Sequence, residues 1–336
     1  MRARPITVFG AGAIGGFVGG RLAAAGEDVV LVDVDADHVR AIRERGLRIT
    51  GALELQVSPP ACLPSEVEGP LETVLLAVKA RHTEDALERI APLLAPSGCV
   101  VSLQNGLEEL RIARRVGPER TVGAFLTFGG HYAGPGEIVF GGEGSFRIGE
   151  LDGSSGPRLD ELARRLGQAH PVETTDRIFG FLWGKVAVEA FYFASALTDT
   201  DVVDLLDRVE ALAALGALVT EVALVAEAEG ARCEPVDGFD ANALASPGSE
   251  AARASWQAHR RHWEGHVAGR TGIWRDLAVH HRPTEVDAVL GPVVAAAARH
   301  GIPTPRLVRL VELVHDAEAG RLPLGLPTLS ALAVAA

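Results

Sequence analysis

Ile6-Thr7-Val8-Phe9-Gly10-Ala11-Gly12-Ala13-Ile14-Gly15-Gly16 is the stretch that decides the fold. Its first four residues read as a short buried strand, and the Gly-x-Gly-x-x-Gly that follows opens a helical pattern running to Ala25. Gly10 permits a tight turn, Gly12 lets a pyrophosphate approach the backbone, and Gly15 lets helix and strand pack closely. With Ala11, Ala13 and Ile14 they form a dinucleotide-binding turn, where the N–H groups and positive dipole end of the helix meet the phosphates. A second strand, Asp28 to Val32, leads to Asp33, 18 residues after Gly15, where a carboxylate accepts hydrogen bonds from the adenosine ribose hydroxyls. No GxxxxGK[ST] occurs, so a P-loop is excluded.

Strands and helices continue to alternate outward from this turn. His38 to Arg45 is helical, Thr73 to Val78 a buried strand, Thr83 to Leu94 a helix, and Cys99 to Leu103 another strand. Such alternation predicts a doubly wound parallel sheet, an α/β Rossmann-type fold. From Thr121 to Gly149 strand follows strand across Gly-rich turns, which predicts antiparallel edge strands closing the first domain. After Asp176 the texture changes. Phe179 to Thr198, Val202 to Gly230, Ala251 to Gly269 and Glu285 to His300 are helical in period, with Gly230 and Gly301 placed as C-terminal caps. The expected organisation is a dinucleotide-binding domain over 1–175 and an all-α substrate and dimerisation domain over 176–336. The apolar tail from Leu322 carries no decisive pattern.

The 336 residues suit two domains. A net charge of −12 argues against a nucleic-acid binder, which needs a clustered basic surface. Cys62, Cys99 and Cys233 are scattered and odd in number, which fits a reducing cytoplasm better than a disulfide framework. The longest apolar stretch, Ala211 to Thr220, falls short of the ~20 residues a membrane span needs. A soluble, cytoplasmic protein is expected, with no nucleic-acid or membrane partner. His259, His262 and His266 lack HExxH spacing and an evident third ligand, so no metal is expected and a solvated helix face is the better reading. Arg270, Arg275 and Arg282 are candidates for attracting an anionic substrate.

Five short elements in order give the chain a further likeness: Gly10-Ala-Gly-Ala-Ile-Gly-Gly, Ala77-Val-Lys79, Gln104-Asn105-Gly106, Leu182-Trp-Gly-Lys185 and Thr284-Glu285-Val-Asp287. Through them it resembles the ketopantoate reductase (2-dehydropantoate 2-reductase) family over nearly its whole length. The resemblance implies reduction of a 2-oxo acid by NAD(P)H, a place in pantothenate biosynthesis, a small-molecule substrate and a homodimer. It assigns the proton-donor role to Lys185, since reduction of a ketone leaves an alkoxide that needs a proton and a positive neighbour. It places Glu285 where substrate hydroxyl, cofactor ribose and lysine meet; a first-turn carboxylate would also suit the helix dipole. Lys79 and Asn105 flank nicotinamide and substrate at the carboxyl edge of the sheet. Gly130 is a candidate for approaching the cofactor through its backbone.

The chain departs from the family pattern at the positions that touch substrate. Two asparagines expected four and eight residues after the lysine are Glu189 and Phe193, and an expected serine is Gly272, with Thr271 adjacent. The segment from Gly272 to Glu285 is also one residue longer. Three readings follow: a 2-oxo acid reductase of the ketopantoate type, an NAD-dependent D-2-hydroxyacid or secondary-alcohol dehydrogenase of the same family, and a non-catalytic NAD(P) sensor. Retained Lys185 and Glu285 count against the third. The family's usual cofactor is NADP, but Asp33 followed by Val34, Asp35, Ala36 and Asp37 favours NAD.

Overall fold

The computed structural model describes residues 5–265 and 269–332, and the chain divides into two compact units between Ile178 and Phe179. The first unit is wound around β1 (Ile6–Phe9), α1 (Ala13–Ala24), β2 (Val29–Val32) and α2 (Ala36–Arg45). Three short strands follow: β3 (Leu47–Gly51), β4 (Leu55–Val57) and β5 (Ala61–Cys62). Then come β6 (Leu71–Leu76), α3 (Thr83–Ile90), β7 (Leu94–Ser102) and α4 (Glu108–Val116). The unit ends with β8 (Thr121–Leu126), β9 (Gly130–Gly134), β10 (Glu137–Phe140), β11 (Phe146–Glu150), α5 (Pro157–Leu166) and β12 (Glu173–Thr174).

The main sheet has the order β12-β11-β8-β7-β6-β1-β2-β5. Its strands are parallel except where β11 meets β8. Ile6 pairs with Val29 on one side and Thr73 on the other, so the chain switches direction across the sheet at β1. Ligands bind at such a switch point in doubly wound folds. Both faces are buried, which is why these strands read as continuous apolar runs rather than alternating ones. Val8, Leu31, Leu75 and Val101 belong to one core layer, and Phe9, Val32, Val74 and Val100 to the other.

The expectation of simple edge strands between Thr121 and Gly149 is corrected. β8 and β11 do extend the main sheet, but β9 and β10 leave it and join β3 and β4 in a second sheet of order β4-β3-β10-β9. The reason lies in α1, which has two stripes of glycine. A Cβ at Gly15 or Gly19 would strike Val8 or Leu31 of the main sheet, and one at Gly16 or Gly20 would crowd Ile138 or Ile49 of the small sheet. The helix is therefore clamped between two sheets. Stacking of Phe17 on Phe140, with centroids 3.9 Å apart, adds to the clamp.

The second unit is helical: α6 (Ile178–Ala196, whose first residue belongs to the first unit), α7 (Val202–Leu206), α8 (Val209–Ala228), α9 (Glu250–Glu264), α10 (Gly272–Ala278), α11 (Val286–His300) and α12 (Pro305–Glu318). The single helix expected over 202–230 is interrupted at Asp207–Arg208, and α10 and α12 are helices beyond those expected. The expected shortfall in apolar length is corrected too. Both α6 and α8 are long and apolar enough to cross a membrane, yet 78% and 50% of their apolar windows are buried within the protein. They are core helices of this unit.

His259 is buried against Phe191, Tyr192 and Phe239 and its ring stacks with that of His262, so the expected solvated face is corrected at His259, which lies in an aromatic core, while His262 is partly exposed. His266 lies outside the described residues. Among the described residues no cluster of three potential ligands could hold a metal.

Candidate active site

In the first unit the turn after β1 has the open, glycine-lined form that a phosphate cradle needs. Gly10 has φ +93°, a conformation that L side chains rarely adopt, and a Cβ there would lie 2.8 Å from the backbone of Ala77 and Val78. A Cβ at Gly12 would meet nothing within 4 Å, and no side chain caps the N-terminus of α1. Space and backbone N–H groups therefore coincide at the helix start, with Ala11, Ala13 and Ile14 filling the turn between the glycines.

Asp33 is half-buried at the end of β2. Its Oδ2 accepts from the Ala11 amide at 2.8 Å and its Oδ1 from the Asp35 amide at 3.0 Å. These bonds fix the carboxylate beside the glycine turn and leave it further lone pairs. Asp35 caps α2 by accepting from the amides of Asp37 and His38, and the Tyr132 hydroxyl donates to it at 3.1 Å. The His38 amide bond is the main influence holding the Asp35 carboxyl below the usual range. Burial, aided by Asp35, pushes the Tyr132 phenol up to about 12.

His38 is buried and bridges the two sheets. The Gly136 amide donates to Nδ1 at 2.9 Å, which places the ring proton on Nε2 for donation to the Ala11 carbonyl at 2.9 Å. No sequence pattern singles it out. The arginines nearest the end of β2 are engaged elsewhere. Arg40 pairs with Asp37 at 2.8 Å, and Arg43 holds Glu66 and the Ala61 carbonyl, each at 2.7 Å.

Lys79 is exposed just past the carboxyl end of β6. Gln104, past the end of β7, donates from Nε2 to the Val78 carbonyl at 2.9 Å and the Thr83 hydroxyl at 2.8 Å. It thereby ties the Lys79 turn to the Asn105-Gly106 turn, where Gly106 has φ +83°. Gly130 opens β9 in the small sheet, and the Val139 carbonyl would lie 2.4 Å from a Cβ there. Strand crowding alone accounts for that glycine.

In the second unit, Lys185 and Glu189 are the charged residues of the otherwise apolar α6, one turn apart and so on one face. Lys185 is half-buried between the buried Trp183 and Val186, and Glu189 is buried. Gly184 is required beside the lysine because the Glu234 carbonyl would lie 2.1 Å from a Cβ there. Phe193, only 2% exposed, sits in the core of the unit. Thr271 caps α10, its hydroxyl accepting from the Trp274 amide at 3.2 Å, and Gly272 is the first residue of that helix. Glu285 precedes α11 without capping it.

The arginines expected to attract an anion are committed within the unit. Arg270 pairs with Asp199 and with Asp201 and lies 4.3 Å over the Trp274 ring, while Arg282 holds Asp276 at 2.7 Å. Arg275 donates to the Arg270 carbonyl. Lys79 and Lys185 are the only two lysines among the chain's 32 basic residues.

Comparison with known proteins accounts for both units. The family model for ketopantoate reductase PanE/ApbA matches residues 6–153, and the model for the C-terminal part of the same family matches residues 177–318. A 2-dehydropantoate 2-reductase from Mesorhizobium japonicum is 29% identical over 337 aligned positions, covering 92% of this chain and 96% of its own. One from Streptococcus pyogenes is 27% identical, covering 94% and 98%. Among solved structures, a PanE/ApbA family ketopantoate reductase from Ralstonia eutropha matches with a TM-score of 0.78 at 30% identity, covering 95% of this chain and 99% of its own. D-mandelate dehydrogenase, solved with NADH and anilino(oxo)acetate, matches with a TM-score of 0.79 at 26% identity over the same shares of the two chains.

Proposed function

This chain belongs to the ketopantoate reductase PanE/ApbA family and is an NAD(P)-dependent oxidoreductase, and we propose that it uses NADH to reduce a 2-oxo acid bearing a bulky apolar group, with Lys185 as proton donor. The observation that carries this reading is the placing of the two lysines. Arginine serves as the cation almost everywhere else in the chain, but a guanidinium stays protonated far above neutrality and cannot give up a proton there, whereas an ammonium can. Lys185 stands half-buried on an apolar helix, where such a proton has a use.

The dinucleotide fits the glycine turn. Gly10 to Gly15 would hold its pyrophosphate, Asp33 its adenosine ribose, and Lys79 and Asn105 its nicotinamide end. When bound, the nicotinamide supplies the hydride taken up by the carbonyl carbon. Lys185 Nζ then donates a proton to the carbonyl oxygen and offsets the charge developing there. Glu285 accepts from the hydroxyl so formed and orients it. Glu189, one turn after the lysine, replaces a neutral donor that would have held a small polar hydroxy-acid, and Phe193 removes a second one. A site without those donors loses its preference for the hydroxylated substrate. The likeness to D-mandelate dehydrogenase supports an aromatic or similarly bulky group in its place.

NADH is favoured over NADPH for an electrostatic reason. A 2′-phosphate about 5 Å from Asp33 would meet roughly 3 kcal/mol of repulsion per unit charge at an effective dielectric near 20. Asp35 adds to this, while Arg40 and Arg43, the nearest compensating cations, are paired with Asp37 and Glu66. The test is a panel of 2-oxo acids assayed by nicotinamide absorbance with both cofactors. Phenylglyoxylate with NADH is expected to exceed ketopantoate in kcat/KM by about tenfold or more, the scale of one or two lost contacts. Ketopantoate reduction above ~10⁴ M⁻¹s⁻¹ would overturn the substrate reading.

A further inference from the structure

The segment that presents Glu285 is rich in polar ties. A cavity of about 270 Å³, lined by Leu277, His281, Arg282 and Glu318 among others, lies beside the loop joining α10 to α11. His281 is in a left-handed conformation with φ +48°, and Arg282 is held by Asp276. The residues on either side of Glu285 are bound to one end of α12. Oε1 of Glu318 accepts both the amide and the hydroxyl of Thr284, each at 2.7 Å, and the Thr284 oxygen in turn accepts from the Val286 amide at 3.3 Å. On the other side Asp287 pairs with His315, one turn before Glu318, at 3.0 Å. That second pair is largely exposed and so the weaker of the two.

A carboxylate on the last residue of a helix faces the negative end of the dipole, so Glu318 is not placed there for the benefit of α12. Its partners all belong to the turn that starts α11.

We propose that Glu318 is a positioning residue for Glu285, acting through the amide and hydroxyl of Thr284. This rests on the reading that Glu285 touches substrate and cofactor. Loss of the Glu318 carboxylate releases the Thr284 amide and hydroxyl together, and the Glu285 carboxylate then samples orientations that do not meet the substrate oxygen. A displacement of about 1 Å in such a group costs on the order of 10²-fold in rate.

The experiment compares wild type with Glu318→Ala, Glu318→Gln, Thr284→Val and Glu285→Ala, using phenylglyoxylate and NADH, and records the urea midpoint of each. Glu285→Ala is expected to lose about 10²-fold or more in kcat, in line with loss of an acid–base group. Glu318→Ala and Thr284→Val should each lose roughly tenfold or more in kcat, with NADH affinity within about twofold and no further loss in the double variant. Glu318→Gln, which keeps an acceptor at Oε1, should recover most of the rate. That rescue separates positioning from mere support of the fold. If Glu285→Ala is impaired while both Glu318→Ala and Thr284→Val keep full kcat, the proposal fails and the functional reading stands. If Glu285→Ala is itself fully active, the role of Glu285 falls and the proposal with it. Should Glu318→Ala not fold, Thr284→Val decides the matter by the same criteria.

Discussion

Replacing Glu109 with glutamine should change how stability depends on pH. Glu109 lies in the first turn of α4 with no solvent exposure, and neither carboxyl oxygen makes a hydrogen bond of normal geometry, although the Ser102 hydroxyl and the Ala124 amide face it. Burial pushes its carboxyl from the ordinary 4.5 up to about 8, with the neighbouring Glu108 adding to the effect. Between those two values the unfolded chain has lost this proton and the folded chain still holds it. Unfolding then releases a proton, so stability falls as pH rises, by about 1.4 kcal/mol per unit. Over the roughly 3.5 units between them the full loss is at most about 5 kcal/mol, a large part of the 5–15 kcal/mol typical of a domain. Glutamine keeps the shape and cannot ionise, but it buries an amide at a cost of about 1–3 kcal/mol if its partners stay poor. Glu109→Gln is therefore expected to trail wild type by up to about 2 kcal/mol at pH 5 and to exceed it by about 1–3 kcal/mol at pH 8. Urea titrations of both proteins at intervals from pH 5 to 9 give the difference directly, since other titrating groups cancel between them. Parallel stability curves across that range would refute the assignment of a protonated Glu109.

Two further outcomes follow from the site. Lys185→Arg conserves the charge but not the transferable proton, so it should lose kcat by about 10²-fold, as Lys185→Ala does, with NADH affinity nearly intact; full turnover in Lys185→Arg would leave only a role for charge. Wild type should use NADH at least tenfold more efficiently than NADPH, with Asp33→Ala narrowing the gap, and side-by-side kcat/KM values with one 2-oxo acid measure both. A wild-type preference for NADPH would mean that Asp33 and Asp35 do not face the 2′ position.

The parts of the fold legible in the sequence are those set by local pattern. Ile6 to Phe9 and Thr73 to Leu76 are apolar at every position or nearly so, as strands covered on both faces must be, and the glycine turn between β1 and α1 is specified within a few residues. The small sheet is not legible in this way, because its strands come from 47–57 and 130–140 and the β3–β10 pairing joins residues about ninety positions apart. Its one local sign is the second glycine stripe, Gly16 and Gly20, which the dinucleotide motif does not require. α12 carries a legible pattern too, since Leu307, Leu310, Leu313 and Val314 recur at helical spacing and are the residues it buries.

Chemistry and geometry divide along the same line at the site. Which side chain can transfer a proton is a property of the residue, so chemistry narrows 32 basic residues to Lys79 and Lys185, and the family resemblance is what points to Lys185. Which side chain is available is a property of its partners, and these come from afar: Arg43 is occupied by Glu66, 23 residues away, and Thr284 is held by Glu318, 34 residues away. A sequence offers Arg40, Arg43, Arg270 and Arg282 alike as cations for an anionic ligand. Each is matched by a carboxylate of its own unit, and moving an arginine from such a pair to a ligand costs what the pair contributes, from near zero up to about 1 kcal/mol where it is exposed. That cost is small enough for a strongly bound phosphate to overcome at Arg40. It is larger at Arg43, whose guanidinium also holds the Ala61 carbonyl. If NADPH is used at all, Arg40 is therefore the residue that turns toward it, and Arg40→Ala should reduce the use of NADPH while leaving that of NADH unchanged.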